Sequence, residues 1–392
     1  MDNNICFYFD ESFHSRKINF NTLKAQEYFD NYVSVGIGFI NIAKDIELIK
    51  EFENKNKKNL SINDEVELKS SVVKKQQYKY GLNSFNNKSL ELYKSFWNLL
   101  NSIDIIPYIF VSNKLEYILK QILDITNKDI MYSKDAVIYT IVKAINVYRP
   151  HEVLSKLLNN DANTLLELKI FLIKKLNENK DNAIKITENE AFMHAAMILD
   201  SVNKNKIDFN WDYKYIFYGL DCLINEIGIN VRDIKIVIDK EGEYNNTYAK
   251  CKESGFKNVS EVDSKDCIEL PCSDLLCGFI GKMMRAIYED TKFVGNKYNQ
   301  KINLSKEWFD INEEKFNLYK LIAKTINNKF PYYWSTCISI YFDIFFEFLA
   351  IINYFEGYDS YIEYKKHSIQ KHLEKFENFL LINMQEKFKK FD

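Results

Sequence analysis

The chain has 392 residues, a length that favours two or three structural units, and 46% hydrophobic residues, enough for a sizeable core. Its formal net charge of −2 supplies no overall attraction to nucleic acid or to an acidic membrane, so such a partner has to be held by a local patch. The polar start of the chain shows no signal peptide, and the seven cysteines form no C-x-x-C pair. We therefore expect a cytoplasmic protein with reduced thiols.

The first predicted element is a strand over residues 5–9, whose side chains are mostly β-branched or aromatic. Two carboxylates, Asp10 and Glu11, follow at once. Because successive side chains of a strand point to opposite faces, these two acids cannot both face one site. Glu11 continues the apolar side of Phe7 and Phe9, so Asp10 is the acid predicted to face a site. The alternative is a strand that ends in solvent.

Strand and helix patterns alternate as far as residue 112. The second strand is expected to pair antiparallel with the first, because the connection between them is short. In chain order, the predicted elements are a strand over 32–40, a helix over 43–58, a short strand over 65–69, a helical segment over 70–80, a helix over 89–101 and a strand over 105–111.

The pattern from residue 114 to about 228 is helical nearly throughout, and strand character returns in 234–239 and 259–262. A helix then opens at Ser273 and Asp274. Gly278 and Gly281 within this helix each cost about 1 kcal/mol relative to Ala, which predicts close packing against a sheet.

The C-terminal part, residues 303–392, is helical and aromatic, and its most apolar run is 338–355. Asp343 and Glu347 lie on one face of that run, which favours a core or interface helix over a membrane span. Its apolar side chains occupy more than one face, so more than one element has to cover it. We predict a homodimer through this region. The apolar residues are Phe342, Phe345, Phe346, Phe348 and Leu349.

Three apolar elements carry an acid at one end, namely Asp10, Asp239 and Asp274, and Glu67 is a fourth candidate. In an open α/β sheet, side chains from distant parts of the chain meet at the strand ends. Carboxylates gathered there repel one another unless a hard cation neutralises them. The sequence therefore predicts that these four acids bind Mg²⁺ or Mn²⁺, and two such ions could support phosphoryl transfer. Each acid taken alone is more simply explained as a charged residue at a strand end that is exposed to solvent.

Five short blocks, taken in order, resemble a bacterial family known as domain of unknown function 3800. The resemblance implies a ribonuclease-H-like mixed sheet with flanking helices and an acidic metal site, in which Glu11 and Lys69 join the four acids as catalytic residues. The blocks are Phe9-Asp10-Glu11-Ser12, Glu67-Leu68-Lys69-Ser70, Ile236-Val237-Ile238-Asp239, Val262-Asp263-Ser264-Lys265-Asp266 and Leu270-Pro271-Cys272-Ser273-Asp274-Leu275-Leu276-Cys277-Gly278.

The resemblance places the core in residues 1–112 and 230–290, with a helical insertion over 113–229 and a helical C-terminal domain over 291–392. It implies metal-dependent hydrolysis of phosphodiester bonds in DNA or RNA, in a bacterial anti-phage defence setting. The chain departs from the family pattern at three positions. These departures favour the alternative, a non-catalytic binding or scaffold protein with a protein partner. They are Phe13 in place of Gly, Pro271 in place of Gln and Ser273 in place of Ala.

Two weaker candidates lie near the first acids. His14 could act as an acid or base beside Asp10, with a plain loop histidine as the alternative. A set of lysines and aromatic rings could bind single-stranded nucleic acid, with a solvated helix face as the alternative. Its members are Lys74, Lys75, Tyr78, Lys79, Tyr80, Phe85 and Lys88.

Overall fold

A five-stranded mixed sheet lies at the centre of the protein, with helices on both faces. The computed structural model describes residues 5–13, 17–25, 27–124, 134–204, 207–240, 246–292, 304–329 and 339–388. It is 64% helical, with fifteen α-helices among these residues, so the predicted mixed α/β class is confirmed.

The strands are β1 (Ile5–Ser12), β2 (Asn31–Phe39), β3 (Lys79–Leu82), β4 (Ile105–Asn113), β5 (Leu123–Asp124), β6 (Asn203–Lys204), β7 (Ile234–Asp239) and β8 (Asn258–Val262). The helices are α1 (Phe20–Lys24), α2 (Ile42–Leu60), α3 (Asn87–Ser102), α4 (Lys114–Ile122), α5 (Lys134–Tyr148), α6 (His151–Leu158), α7 (Thr164–Glu178), α8 (Ile186–Ile198), α9 (Lys214–Glu226), α10 (Asn246–Glu253), α11 (Leu270–Thr291), α12 (Glu313–Lys329), α13 (Asp343–Glu356), α14 (Tyr361–Tyr364) and α15 (Ile369–Phe388).

The strand order in the central sheet is β4-β2-β1-β7-β8. The first three of these strands pair antiparallel, which confirms the prediction for the second strand, whereas β1, β7 and β8 run parallel. Phe9 of β1 is paired with Ile238 of β7, so the next residues along the two strands, Asp10 and Asp239, are neighbours. Gly36 of β2 makes room for the Phe9 ring, which would lie 2.5 Å from a Cβ atom at that position.

Residues 65–80 differ from the sequence prediction. Residues 65–69 form no strand, and residues 70–80 form two short 3₁₀ turns, Ser70–Val72 and Lys75–Tyr78, followed by β3. Leu68 is fully buried while its two neighbours point towards the edge of the sheet. The alternation of apolar and charged residues over 65–69 thus belongs to a loop that crosses this edge. Among the described residues, this loop pairs with no strand.

Each face of the sheet has its own hydrophobic cluster. Phe7 and Phe9 point to the face covered by α4 to α10. Cys6 and Tyr8 point to the opposite face, which is covered by α2, α3, α11 and the C-terminal helices. The insertion and the C-terminal part therefore cover opposite sides of one sheet.

The apolar helix of the C-terminal part is α13, and its buried side chains pack against α11, α12 and α15 of the same chain. These elements cover more than one face of the helix, so its apolar character alone does not require a second copy. The homodimer through this region stays a prediction. Among the described residues, no helix has both the length and the apolar character needed to cross a membrane.

Truncation of Phe348 tests whether α13 belongs to this shared core. Its side chain is fully buried, and its ring centroid lies 6.3 Å from that of Phe279 in α11. Phe348→Ala should lower the free energy of unfolding by about 3–5 kcal/mol because it leaves a cavity between the two helices. Ile362→Ala, at a side chain that is 76% exposed, should change it by less than about 0.5 kcal/mol in the same urea titration. Equal effects of the two changes would contradict this packing.

Candidate functional site

The carboxyl ends of β1 and β7 bring two of the predicted acids to one place. Asp10 follows the buried run of β1, and Asp239 is the last residue of β7. Both side chains line a cavity of about 180 Å³ at this edge of the sheet. Parallel strands end side by side at the same edge, which is where α/β sheets place their sites.

Asp274 in α11 forms a pair with Asp10. The pKa of Asp10 is raised well above its usual range, first by burial and then by the charge of Asp274, to which Asp10 is hydrogen-bonded. The backbone N–H of Glu11 donates to Asp10 Oδ1 at 2.7 Å and opposes this rise. Two carboxyl groups in such contact share a proton when no cation separates them. The helix begins at Leu270, earlier than predicted, since Pro271 fits a first helical turn.

The segment of residues 67–70, here called the acid-bridging loop, holds Asp274 from the other side. The Ser70 hydroxyl donates to Asp274 Oδ1 at 3.0 Å, and the Ser70 backbone N–H donates to Oδ2. Lys282, two turns further along α11, donates from Nζ to the backbone oxygens of Ser70 and Val73 at 2.5 and 3.1 Å. Burial lowers the pKa of Lys282 to about 8, an effect that Asp274 opposes.

The same loop also reaches the end of β7. Lys69 Nζ lies 3.0 Å from Glu67 Oε2, which accepts a hydrogen bond of 2.9 Å from the Ser264 hydroxyl. The Ser264 backbone N–H donates to Asp239 Oδ1 at 3.2 Å. Burial acts to lower the pKa of Lys69, but the hydrogen bond and charge of Glu67, together with Asp239 and Asp274, raise it above its usual value. Lys69 is thus a charged ammonium surrounded by acids.

Glu11 lies on the opposite side of β1 from the Asp10–Asp274 pair. The Tyr32 hydroxyl donates to Glu11 Oε2 at 2.5 Å, on the face that Phe7 and Phe9 share. This confirms the prediction from strand alternation that Asp10 and Glu11 face different ways. Asp10 and Glu11 nevertheless both line the cavity at the strand end, so the expectation that the two acids cannot face one site is wrong.

The donors of this site are carboxylate and hydroxyl oxygens, the ligands that Mg²⁺ and Mn²⁺ prefer. Within the described parts of the chain, however, no three His, Cys, Asp or Glu side chains are grouped as the ligands of one ion. The contacts of the carboxylates explain why they are not grouped around one point: Ser70 and Ser264 already donate hydrogen bonds to carboxylates, and Lys69 lies beside Glu67. The residues therefore fit such an ion in chemistry, while their present arrangement is two pairs joined by the acid-bridging loop.

Sequence reasoning did not identify Ser70, Ser264 and Lys282 as site residues. The two serines lie within the blocks that carry the family resemblance, which is the signal that could have found them. Lys282 lies outside every block. Only the packing of α11 against the acid-bridging loop reveals its contacts.

Two of the three rings of the lysine and aromatic set are not available for stacking, and the third, Tyr80, is half-buried with Lys79 Nζ 4.7 Å from its ring centroid. Tyr78 and Phe85 are buried in the core below this surface, which favours the alternative of a solvated face with core contacts. Lys74, Lys75 and Lys79 remain exposed there. His14, the possible acid or base, lies outside the described residues.

The shared proton of the Asp10–Asp274 pair predicts a pH dependence. The folded pKa of Asp10 exceeds the unfolded one, so between the two values the native state binds more protons, and stability falls as pH rises. Asp10→Asn removes this effect and should melt about 1–3 °C above the wild type near pH 7, without divalent ions. The difference should shrink towards pH 4 in thermal melts. Asp181→Asn, at an exposed residue of the insertion, is the control. A pH-independent difference for Asp10→Asn would contradict the pairing.

Gly278 sets the distance between α11 and the acid-bridging loop. A Cβ atom there would lie 2.2 Å from Ser70 Oγ, so Gly278→Ala has to displace Ser70 from Asp274. The free-energy cost of this overpacking should exceed the gain of about 1 kcal/mol from helix propensity. Gly278→Ala should therefore lower the free energy of unfolding by about 1–2 kcal/mol.

Gly357→Ala is a matched control, because the nearest atom to its Cβ would be at an ordinary 3.5 Å. Urea unfolding should show little change or a slight stabilisation for that variant. Equal behaviour of the two variants would show that the close approach of Gly278 to Ser70 is unimportant.

Comparison of the chain with protein-family models, curated proteins and solved structures finds no match. The family resemblance drawn from the five blocks therefore stays a prediction. The function of the site has to be argued from its own residues.

Proposed function

We propose that the protein is a divalent-metal-dependent nuclease that hydrolyses phosphodiester bonds in DNA or RNA. The observation that carries this proposal is the acid-bridging loop, which connects the Asp10–Asp274 pair to the Glu67–Asp239 group at the ends of two parallel strands. Acids from four parts of the chain repel one another when they are brought together, and this costs free energy. Such a group is therefore expected where the negative charge has a function. A hard cation is the usual partner of such a set.

The arrangement of the sheet supports a ribonuclease-H-like fold as part of this proposal. Three antiparallel strands come first along the chain, and two parallel strands are then added on the other side of β1. Phe13, which replaces the family's Gly, has φ of 59°, in the left-handed region that favours glycine. The backbone thus keeps a glycine-like conformation at this position. The Phe13 ring packs against Phe29 and Gly281, which offsets the strain.

Each residue of the site has a distinct task in the proposed reaction. A bound Mg²⁺ or Mn²⁺ supplies charge for the phosphoryl oxygens and activates water. Asp10, Asp239 and Asp274 would hold it, and its arrival would displace the proton shared by Asp10 and Asp274. Lys69 keeps Glu67 in place and adds a positive charge for a phosphate. Lys74 on the exposed surface next to the loop adds local positive charge for a phosphate, while Lys75 Nζ lies 3.8 Å from Glu289 Oε1.

The second candidate function is that of a binding or scaffold protein. One observation favours it: large apolar side chains project outwards from the neighbouring helices α7 and α8 of the insertion. Exposed apolar groups at helical spacing often mark a protein contact. A manganese titration distinguishes the two functions, since a scaffold needs no ion at the acids. The exposed side chains are Leu166 at 57%, Ile170 at 50%, Met193 at 46% and Met197 at 65%.

The nuclease proposal is tested by digestion of single- and double-stranded DNA and RNA with Mn²⁺ or Mg²⁺. We expect cleavage of at least one substrate and its loss when EDTA is added. Asp10→Asn, Asp239→Asn and Asp274→Asn should each reduce the rate at least about 100-fold, because each removes charge needed in the transition state. Combining the three changes should add little, since residues that act together are not additive.

The control for this experiment is again Asp181→Asn, which makes the same chemical change on an exposed part of the insertion. It should cleave at the wild-type rate. Full activity of Asp10→Asn would overturn the assignment of the site. No cleavage by the wild type together with no manganese binding at millimolar concentration would favour the scaffold.

A further inference from the structure

The cavity at the ends of β1 and β7 can be reached by a ligand only through charged side chains. Its apolar side chains, which come from β1, β7 and α9, are at most 4% exposed and offer a ligand no surface. The accessible part of its lining consists of three carboxylates and one ammonium group. These belong to Asp10, Glu11, Asp239 and Lys240. A ligand of this cavity therefore has to be recognised by its charge.

Lys240 follows the last residue of β7 and is held there through its backbone. Its N–H donates to the backbone oxygen of Val262 in β8 at 3.1 Å and to Asp239 Oδ1 at 3.0 Å. Its side chain is exposed, and no carboxylate of the described residues forms an ion pair with it. Lys69 of the acid-bridging loop, by contrast, is paired with Glu67 and does not line the cavity. The position of Lys240 is thus fixed while its charge is available to a ligand.

The backbone around Lys240 also orients the carboxylate of Asp239. Asp239 Oδ1 accepts the hydrogen bond from Lys240 and a second one, of 3.2 Å, from the backbone N–H of Ser264. Within the described parts of the chain, Asp239 Oδ2 accepts no hydrogen bond, so this oxygen remains open to a cation. Two successive residues therefore offer a carboxylate oxygen and an ammonium group to one cavity.

These groups match a ligand that carries both signs of charge. Three carboxylates would repel a free anion, and a cation alone would leave the ammonium group without a partner. A divalent cation bound to a phosphate satisfies both, because one phosphate oxygen can bind the ion while another accepts a hydrogen bond from lysine. The cavity volume of about 180 Å³ lies below the range of about 300–1,000 Å³ for drug-sized ligands, which favours one phosphate group over a whole nucleotide.

We infer that Lys240 binds a phosphate of the nucleic-acid strand, which lies in this cavity between the ammonium group and a cation held by the acids. The inference rests on the proposed nuclease function and names a residue that contacts the substrate of that site. A contact with phosphate positions the strand and carries no sequence information. We therefore expect this contact to be the same for every base.

A comparison of cytidine 5′-monophosphate with cytidine tests this contact without a bond that a nuclease would cleave. The two compounds differ only in the phosphate. With Mg²⁺ present, titration calorimetry of the wild-type protein should show at least about tenfold tighter binding of the nucleotide, as expected for a hydrogen bond between charged groups. Omission of Mg²⁺ should remove this preference, because the acids then repel the phosphate. Equal binding of the two compounds with Mg²⁺ present would overturn the inference.

Substitution of Lys240 assigns the contact to this residue. Lys240→Met should weaken binding of cytidine 5′-monophosphate at least about tenfold. Lys240→Arg should retain most of the affinity, since arginine also binds phosphate. Lys235→Met is the matched control, because it makes the same change at an exposed residue near the start of β7, and it should bind as the wild type does. An unaltered affinity of Lys240→Met for the nucleotide would overturn the inference.

Failure of this inference and failure of the nuclease proposal give different results. A wild-type protein that binds the nucleotide through Lys240 but cleaves no substrate keeps the phosphate contact and overturns the nuclease. A protein that cleaves its substrate with the same KM and kcat before and after Lys240→Met keeps the nuclease and overturns the phosphate contact.

Discussion

The parallel pairing of β1 with β7 is the constraint on which the candidate site depends. These strands are separated by more than 220 residues of sequence, yet their register makes Asp10 and Asp239 neighbours at the sheet edge. Both strands lie in the interior of the sheet and are covered on both faces, so a shift in register would move large buried side chains to the wrong face. Packing of the core thereby fixes the position of the acids.

Electrostatic repulsion at this edge explains the contacts around it. Asp10 and Asp274 lie close enough for burial and mutual charge to raise the pKa of Asp10. The acid-bridging loop compensates with the ammonium of Lys69 and the hydrogen bonds of Ser70, and Lys282 in turn anchors the loop. These groups hold the acids together without an ion. They also account for the separation of the carboxylates into two pairs.

The insertion and the C-terminal helices have different relations to this edge. The C-terminal helices pack behind α11 and stabilise the face that Tyr8 shares with Asp10. The insertion covers the opposite face, and through α9 it reaches the cavity itself. The acids and the side chains of α9 therefore meet at one cavity from different faces of the sheet.

The sequence by itself determined most strands of the sheet and the acids at their ends. Mostly β-branched runs such as residues 234–238, in which Lys235 is the one polar residue, are strong local signals, and strand alternation alone placed Asp10 and Glu11 on different sides of β1. The strand prediction was wrong for residues 65–69. An alternating segment forms a strand only when a neighbouring strand can pair with it, whereas this segment contacts a helix and two acids. Only the tertiary structure decided the contacts of Ser70, Ser264 and Lys282, the φ angle of Phe13 and the role of α9 in the cavity. Those features depend on residues far apart in sequence that meet through packing, for which no local pattern exists.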